Sequence, residues 1–168
     1  MTTKGEFIVI RTLDPVDTGD VLSSIPPHLT DLSWFFLDNG ALRTLKPRID
    51  DLGDRYGYTA SWALGKRRVL YGANEDIPAC ELLVAHDKIY RGLFSAVEKL
   101  GGEYKYPDYA NNWSPHITDE HGVSIQEGES VSFSSLALIS RQGKPGEKRK
   151  VVEHAVQLVG GISREAAS

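Results

Sequence analysis

Pro27-His28-Leu29-Thr30-Asp31 returns later in the chain as Pro115-His116-Ile117-Thr118-Asp119, with four of five residues unchanged and the fifth a Leu/Ile exchange. Each copy stands at a predicted strand behind a proline. The first copy opens HLTDLSWFFL, residues 28–37, a strand with aromatics at its far end. The second opens HITDE, residues 116–120, a shorter one. The copies lie about half a chain apart, with a helix and several strands predicted between them.

Outward from the repeat, residues 6–13, EFIVIRTL, read as a buried strand because they are apolar and β-branched. The following DPVDTGD is turn-rich. Leu42, Leu45, Ile49 and Leu52 recur at helical spacing and predict a helix over 41–56, with Pro47 marking its first turn or a break. YTASWALG (58–65) and KRRVLYG (66–72) predict a hairpin about Gly65, and IPACELLVA (77–85) a further strand. Ile89, Leu93, Val97 and Leu100 share one face of a helix over 87–100, which Gly101-Gly102 stops. Residues 103–115, EYKYPDYANNWSP, read as an aromatic loop. SVSFSSLALIS (130–140) and VVEHAVQLV (151–159) read as strands joined by the basic loop RQGKPGEKRK. Strands and helices interspersed in this way predict an α+β architecture rather than an all-parallel sheet.

With 168 residues, 40% hydrophobic and 25% charged, the chain reads as one globular domain over 1–168, with a frayed, disordered tail from about 161. No apolar run is long enough for a membrane span. The N-terminal stretch has no signal-peptide layout, and Cys80 is the sole cysteine. A cytoplasmic location is therefore expected. Nineteen basic side chains against 23 acidic ones give a net charge of −4, which argues against wrapping long duplex nucleic acid. A short nucleotide in a local pocket stays compatible with that balance.

In a strand, residues two apart point to the same face. His28 therefore projects with Thr30, and His116 with Thr118. If the two strands meet, one cleft receives two imidazoles and two hydroxyls. That set suits a phosphodiester. One imidazole acts as base toward water or a ribose hydroxyl, and the other as acid toward the departing oxygen. Imidazole does both near neutral pH because its unperturbed pKa is about 6.5. The threonine hydroxyls can hydrogen-bond the phosphate oxygens. No metal or other cofactor is needed.

The doubled His-x-Thr, and above all Trp113-Ser114-Pro115-His116-Ile117-Thr118, resembles the motif of the 2H phosphoesterase superfamily. That group includes 2′-5′ RNA ligase-like proteins and cyclic nucleotide phosphodiesterases. The order of elements over roughly 6–159 is similar too. The resemblance implies two pseudo-symmetric, interleaved α+β lobes of antiparallel sheet with flanking helices around a central cleft. It implies metal-independent cleavage of a 2′,3′-cyclic phosphate, a 2′-5′ linkage or a cyclic oligonucleotide, by His28, Thr30, His116 and Thr118. RNA ends are candidate partners. Phage members of similar outline extend the expectation to degradation of cyclic nucleotide immune messengers. The chain departs from the family in carrying aspartate after each threonine, where a hydrophobic residue is usual. By alternation Asp31 and Asp119 point away from the histidines, either to solvent or to an arginine.

Other residues carry weaker signals. Among Trp62, Tyr104, Tyr106, Tyr109 and Trp113, whose rings can stack on a base or pack in the ordinary way, Trp62 and Tyr109 are the candidates for contact with a ligand. Trp113 is expected to pack and fix the second motif. Arg11, at the end of the first strand, is a candidate for bidentate contact with a phosphate. Arg67-Arg68 and the loop Lys144 to Lys150 are expected to be solvated. Cys80 is expected to be a buried, inert thiol. His86, His121 and His154 have no matching motif, and the spacing of His116 and His121 fits no standard metal site. Gly101-Gly102 and Gly160-Gly161 lack the Gly-Lys-Ser/Thr of a phosphate loop. A module that binds a nucleotide in the same cleft without cleaving it, as a sponge or sensor, is the alternative reading.

Overall fold

The computed structural model describes residues 3–57, 61–66, 79–84, 87–118, 125–143 and 149–158. Residues 67–72, Asp119, His86, His121, the loop centre 144–148 and the tail beyond 158 lie outside the described residues, as does the side chain of Trp62. Ten strands and two substantial helices occur among them: β1 (Lys4–Thr12), β2 (Val21–Leu22), β3 (His28–Asp38), α1 (Leu42–Tyr56), β4 (Ser61–Lys66), β5 (Ala79–Val84), α2 (Lys88–Lys99), β6 (Glu103–Tyr104), a short α3 (Pro107–Asn111), β7 (His116–Thr118), β8 (Ser130–Val131), β9 (Ser135–Gln142) and β10 (Arg149–Gln157).

The strands form two antiparallel sheets. One has six strands in the order β2-β10-β9-β1-β3-β6, and the other four in the order β7-β5-β4-β8. The fold is α+β, as the interspersed elements predict. The two sheets draw their strands alternately from the chain, so the lobes interleave, but they are unequal in size.

β1 and β9 hold the middle of the larger sheet and alternate their side chains between two apolar layers. Phe7, Val9, Leu136 and Leu138 face the main core, where they meet α1 through Leu45, Ile49 and Leu52, α2 through Ile89, Leu93 and Val97, and the smaller sheet through Ala63, Cys80, Leu82 and Ile117. Ile8, Ile10, Ala137 and Ile139 face the other way, with Val16 and Val152. Cys80 is buried in the main core, as expected.

Four local readings are corrected. Gly65 is no hairpin turn: β4 runs through it to Lys66, with a bulge between Ala63 and Gly65 opposite β5, where a residue without Cβ is easily accommodated. α1 passes Pro47 without a break. Pro47 removes the donor for the Arg43 carbonyl, and both residues are exposed, so water can serve that oxygen. Residues 130–140 form two strands, because the chain leaves the smaller sheet after Val131 and joins the larger at Ser135. Ser134 fixes that crossing: its backbone N–H donates to the Thr12 carbonyl (2.7 Å) and its hydroxyl to that of Leu13 (2.6 Å). The aromatic stretch 103–115 contains β6 and α3 rather than loop alone. Among the described residues, no helix is long and apolar enough to cross a membrane.

Candidate active site

The first motif begins β3. Thr12, Arg11 and Ile10 of β1 lie opposite His28, Leu29 and Thr30. Leu29 and Asp31 are buried while His28 and Thr30 are part-exposed, so the alternation sends the imidazole and hydroxyl to one face together. Nδ1 of His28 lies 2.7 Å from the carbonyl oxygen of Pro26. A carbonyl only accepts, so Nδ1 carries the hydrogen, and in the neutral ring Nε2 holds the basic lone pair.

The second motif is β7, which pairs with β5 so that Glu81, Cys80 and Ala79 lie opposite His116, Ile117 and Thr118. The burial alternates as in the first motif, with Ile117 inside and His116 and Thr118 part-exposed. Nδ1 of His116 donates to the carbonyl of Ser114 at 2.7 Å, again two residues upstream. The two copies thus share one local geometry, including the ring tautomer. Burial pushes the His116 pKa below its ordinary 6.5, against smaller upward pulls from the Ser114 carbonyl and the Glu81 carboxylate.

β3 and β7 come from different sheets and contact each other. The structure therefore brings the two motif strands together. Trp113 joins them: its indole Nε1 donates to the backbone carbonyl of Thr30 at 3.0 Å. The ring stacks on Tyr90 of α2, with centroids 4.4 Å apart and planes 2° from parallel. The Tyr90 hydroxyl donates to the carbonyl of Ala110 in α3 (2.7 Å), and burial raises its pKa. The packing expected of Trp113 is present, and it reaches the first motif as well as the second.

Arg11 is corrected. Its side chain is buried, and its guanidinium is committed to Asp31, with Nε donating to Oδ2 (2.9 Å) and Nη2 to Oδ1 (2.7 Å). Arg11 sits on the core face of β1, opposite Leu29, so it backs the first motif instead of reaching a phosphate. Of the two alternatives for Asp31, the arginine partner is the one realised. His154, which lacks a motif, has a structural partner: Nε2 lies 2.7 Å from Asp50 Oδ1 and ties β10 to α1.

A cleft of about 830 Å³ opens beside the first motif. β1 and β3 supply its floor through Ile8, Thr30, Ser33 and Trp34, and residues 105–112 supply its wall. Tyr109 lines it, as a base-stacking candidate should. Thr30 is the one residue of the four His-x-Thr positions on that lining. Tyr106, of the same aromatic run, lines the cleft too, whereas sequence reasoning missed Trp34 and Lys105. The signal for Trp34 was its place on the same strand as His28 and Thr30, an even number of residues from each, so simple alternation already puts it on their face. Among the described residues, no three His, Cys, Asp or Glu side chains gather as a metal site.

Comparison with known proteins bears on the fold. No protein-family model and no curated protein matches the chain. Solved structures do. TT0787 of Thermus thermophilus aligns at 16% identity and TM-score 0.54, covering 93% of this chain and 99% of that one. Escherichia coli LigT, crystallised with 3′-AMP, aligns at 15% identity and TM-score 0.53, with the same shares of each chain. A protein described as a phosphoesterase aligns at 15% identity and TM-score 0.51, covering 92% of this chain and 98% of that one. Across nearly its whole length, the chain shares its α+β fold with LigT, TT0787 and the structure described as a phosphoesterase.

Proposed function

We propose that the chain is a phosphodiesterase that cleaves a nucleotide phosphodiester with two histidines as acid and base. The observation that carries this reading is the duplicated geometry. Two His-x-Thr copies start two contacting strands, and each imidazole is held by a carbonyl at its Nδ1. A buried structural histidine does not need a second copy in the same tautomer.

His116, whose pKa burial depresses, is neutral at neutral pH and is assigned as the base. Its Nε2 takes a proton from the attacking water or ribose hydroxyl. That oxygen bonds to phosphorus, the bond from phosphorus to the leaving oxygen breaks, and protonated His28 returns a proton to the departing oxygen. Thr30 and Thr118 donate to the non-bridging oxygens as their charge grows. Each step runs on side chains of this chain alone. Cyclic oligonucleotides, 2′,3′-cyclic phosphates and 2′-5′ linkages are the substrate candidates, with immune messengers of the first kind among them. A fold neighbour crystallised with 3′-AMP supports a nucleotide as the kind of ligand.

The test is a turnover screen in excess chelator over cyclic di- and trinucleotides, 2′-5′ oligoadenylate and 2′,3′-cyclic nucleotides. His28→Ala and His116→Ala run alongside. Turnover of one class, abolished in both variants, is the expected result. Saturable binding of one ligand without product would replace the enzyme by a sequestering module. Loss of all turnover in chelator, restored by added metal, would refute the two-histidine scheme.

A further inference from the structure

We infer that Glu81 is a positioning residue for the two-histidine reaction: beside His116 on the neighbouring strand, its carboxylate steadies the positive charge that the His116 ring acquires on taking up a proton. The inference rests on the phosphodiesterase reading and adds to it a residue from outside both His-x-Thr copies.

Strand geometry is the first argument. Leu82 lies opposite Pro115, and its N–H donates to the Pro115 carbonyl at 2.9 Å. Hydrogen-bonded and non-hydrogen-bonded pairs alternate along an antiparallel ladder, so the next pair, Glu81 with His116, is of the second kind. In such a pair the Cα atoms are only about 4.5 Å apart and the two side chains lie side by side. Cys80 and Leu82 are buried, which turns Glu81 to the open face of β5. His116 and Thr118 occupy the same face of β7.

The contrast with the first motif is the second argument. The Leu13 N–H donates to the Pro27 carbonyl at 3.1 Å, so Thr12 and His28 also form a non-hydrogen-bonded pair. The two imidazoles thus share a tautomer, an upstream carbonyl and a cross-strand neighbour at the same position. The copies part at that neighbour, which is a neutral hydroxyl beside His28 and a carboxylate beside His116. The backbone frame is alike in both, so the difference falls on the electrostatics of the rings.

Charge is the third argument. β7 packs against β5 and β3. Their ionisable side chains are Cys80 and Glu81 on β5 and His28, Asp31 and Asp38 on β3. Cys80 is buried in the main core, Asp31 is tied to Arg11, and Asp38 stands at the far end of β3. Glu81 is therefore the one carboxylate that these strands set beside the His116 ring, and the ring feels its field. Burial keeps His116 neutral at rest, so its imidazolium is the costly species. As base, Nε2 takes the proton of the attacking oxygen while Nδ1 keeps its own on the Ser114 carbonyl, and the ring becomes a cation. A carboxylate alongside stabilises that cation without itself taking the proton.

The experiment compares wild type, Glu81→Gln and Glu81→Asp by NMR titration of the histidine rings, and by kcat and KM on the substrate that the wild type turns over best. Gln is expected to move the His116 midpoint toward acid and leave that of His28 in place. It is also expected to lower kcat about tenfold with little change in KM, a small part of the roughly 10²- to 10⁴-fold that general acid–base catalysis supplies. Asp keeps the charge and is expected to restore both readouts. An unmoved His116 midpoint, a rise in KM alone, or an Asp variant no better than Gln would overturn the inference. The two readings fail separately. Wild-type turnover that Glu81→Gln leaves unchanged sinks the role of Glu81 and leaves the phosphodiesterase. A moved His116 midpoint without wild-type turnover of any substrate class sinks the phosphodiesterase, and the reaction role of Glu81 with it.

Discussion

The indole of Trp113 donates to the main-chain carbonyl of Thr30 across 3.0 Å, so a residue that precedes the second motif holds the backbone of the first. The bond spans the two sheets at the point where β3 meets β7. Trp113→Phe keeps an aromatic ring against Tyr90 but removes the donor together with part of the ring that packs on the core. The expected stability loss is about 1–3 kcal/mol, one hydrogen bond plus the packing lost with it, read from urea unfolding. Turnover should fall more than that loss accounts for, by roughly 10- to 100-fold in kcat with a smaller change in KM, because alignment of the motifs acts on the reaction step. Unchanged kcat would make the bond structural only.

The Arg11–Asp31 pair behind the first motif should behave as a buried ion pair. Arg11→Met or Asp31→Leu alone strands one charge in the core, at an expected cost of about 3–5 kcal/mol. The double variant removes both charges and should recover most of that loss. Chemical denaturation of the four proteins forms the cycle. Additive losses in the double variant would show that the two residues do not work as a pair.

The depressed His116 pKa fixes the sign of two pH effects. With His116 as base, the acidic limb of kcat/KM should have its midpoint below 6.5. Glu81→Gln removes an upward influence and should move that limb further toward acid. For stability, the unfolded imidazole takes up its proton at 6.5, before the folded one does. His116 therefore draws stability down as pH falls from about 6.5, and the loss levels off once the lower folded pKa is passed. His116→Gln should flatten that part of the stability profile. An acidic limb above 6.5 in the wild type would contradict the assignment.

Gly92 sets how closely α2 approaches α1. A Cβ there would lie 2.6 Å from Cδ2 and 2.9 Å from Cδ1 of Leu52, which is 2% exposed and enclosed by the main core. Gly92→Ala gains up to about 1 kcal/mol in helix propensity, but overpacking costs about 1–3 kcal/mol. A lower melting temperature is the expected outcome, and a raised one would mean that Leu52 can move aside.

The sequence carried those features that local chemistry decides. β1 and β3 were readable because long apolar, β-branched runs have few other fates, and α2 because Ile89, Leu93 and Val97 mark one helical face. The doubled motif was readable because its spacing of two is the period of a strand. β2, β6 and β8 have two residues each, too few for any alternation to register, and the pairings that define them come from distant parts of the chain. Arg11 misled for a related reason. Its face depends on which side of β1 meets the core, and its partner, Asp31, lies on another strand. The cleft around Trp34, Lys105 and Tyr106 depends on β6 docking beside β3, which no local pattern announces.

Strand position gives the two histidines unequal mechanical support. β3 is eleven residues long and pairs along its length with β1, inside the six-stranded sheet. β7 is three residues long and stands at the margin of the smaller sheet, with β5 as its one strand partner among the described residues. Local opening costs least where a short segment is paired on one side. Both motif segments pair on one side among the described residues, His28–Thr30 with β1 and His116–Thr118 with β5, but the short β7 has less strand to hold it, so its amide protons should exchange sooner than those of β3 at His28–Thr30.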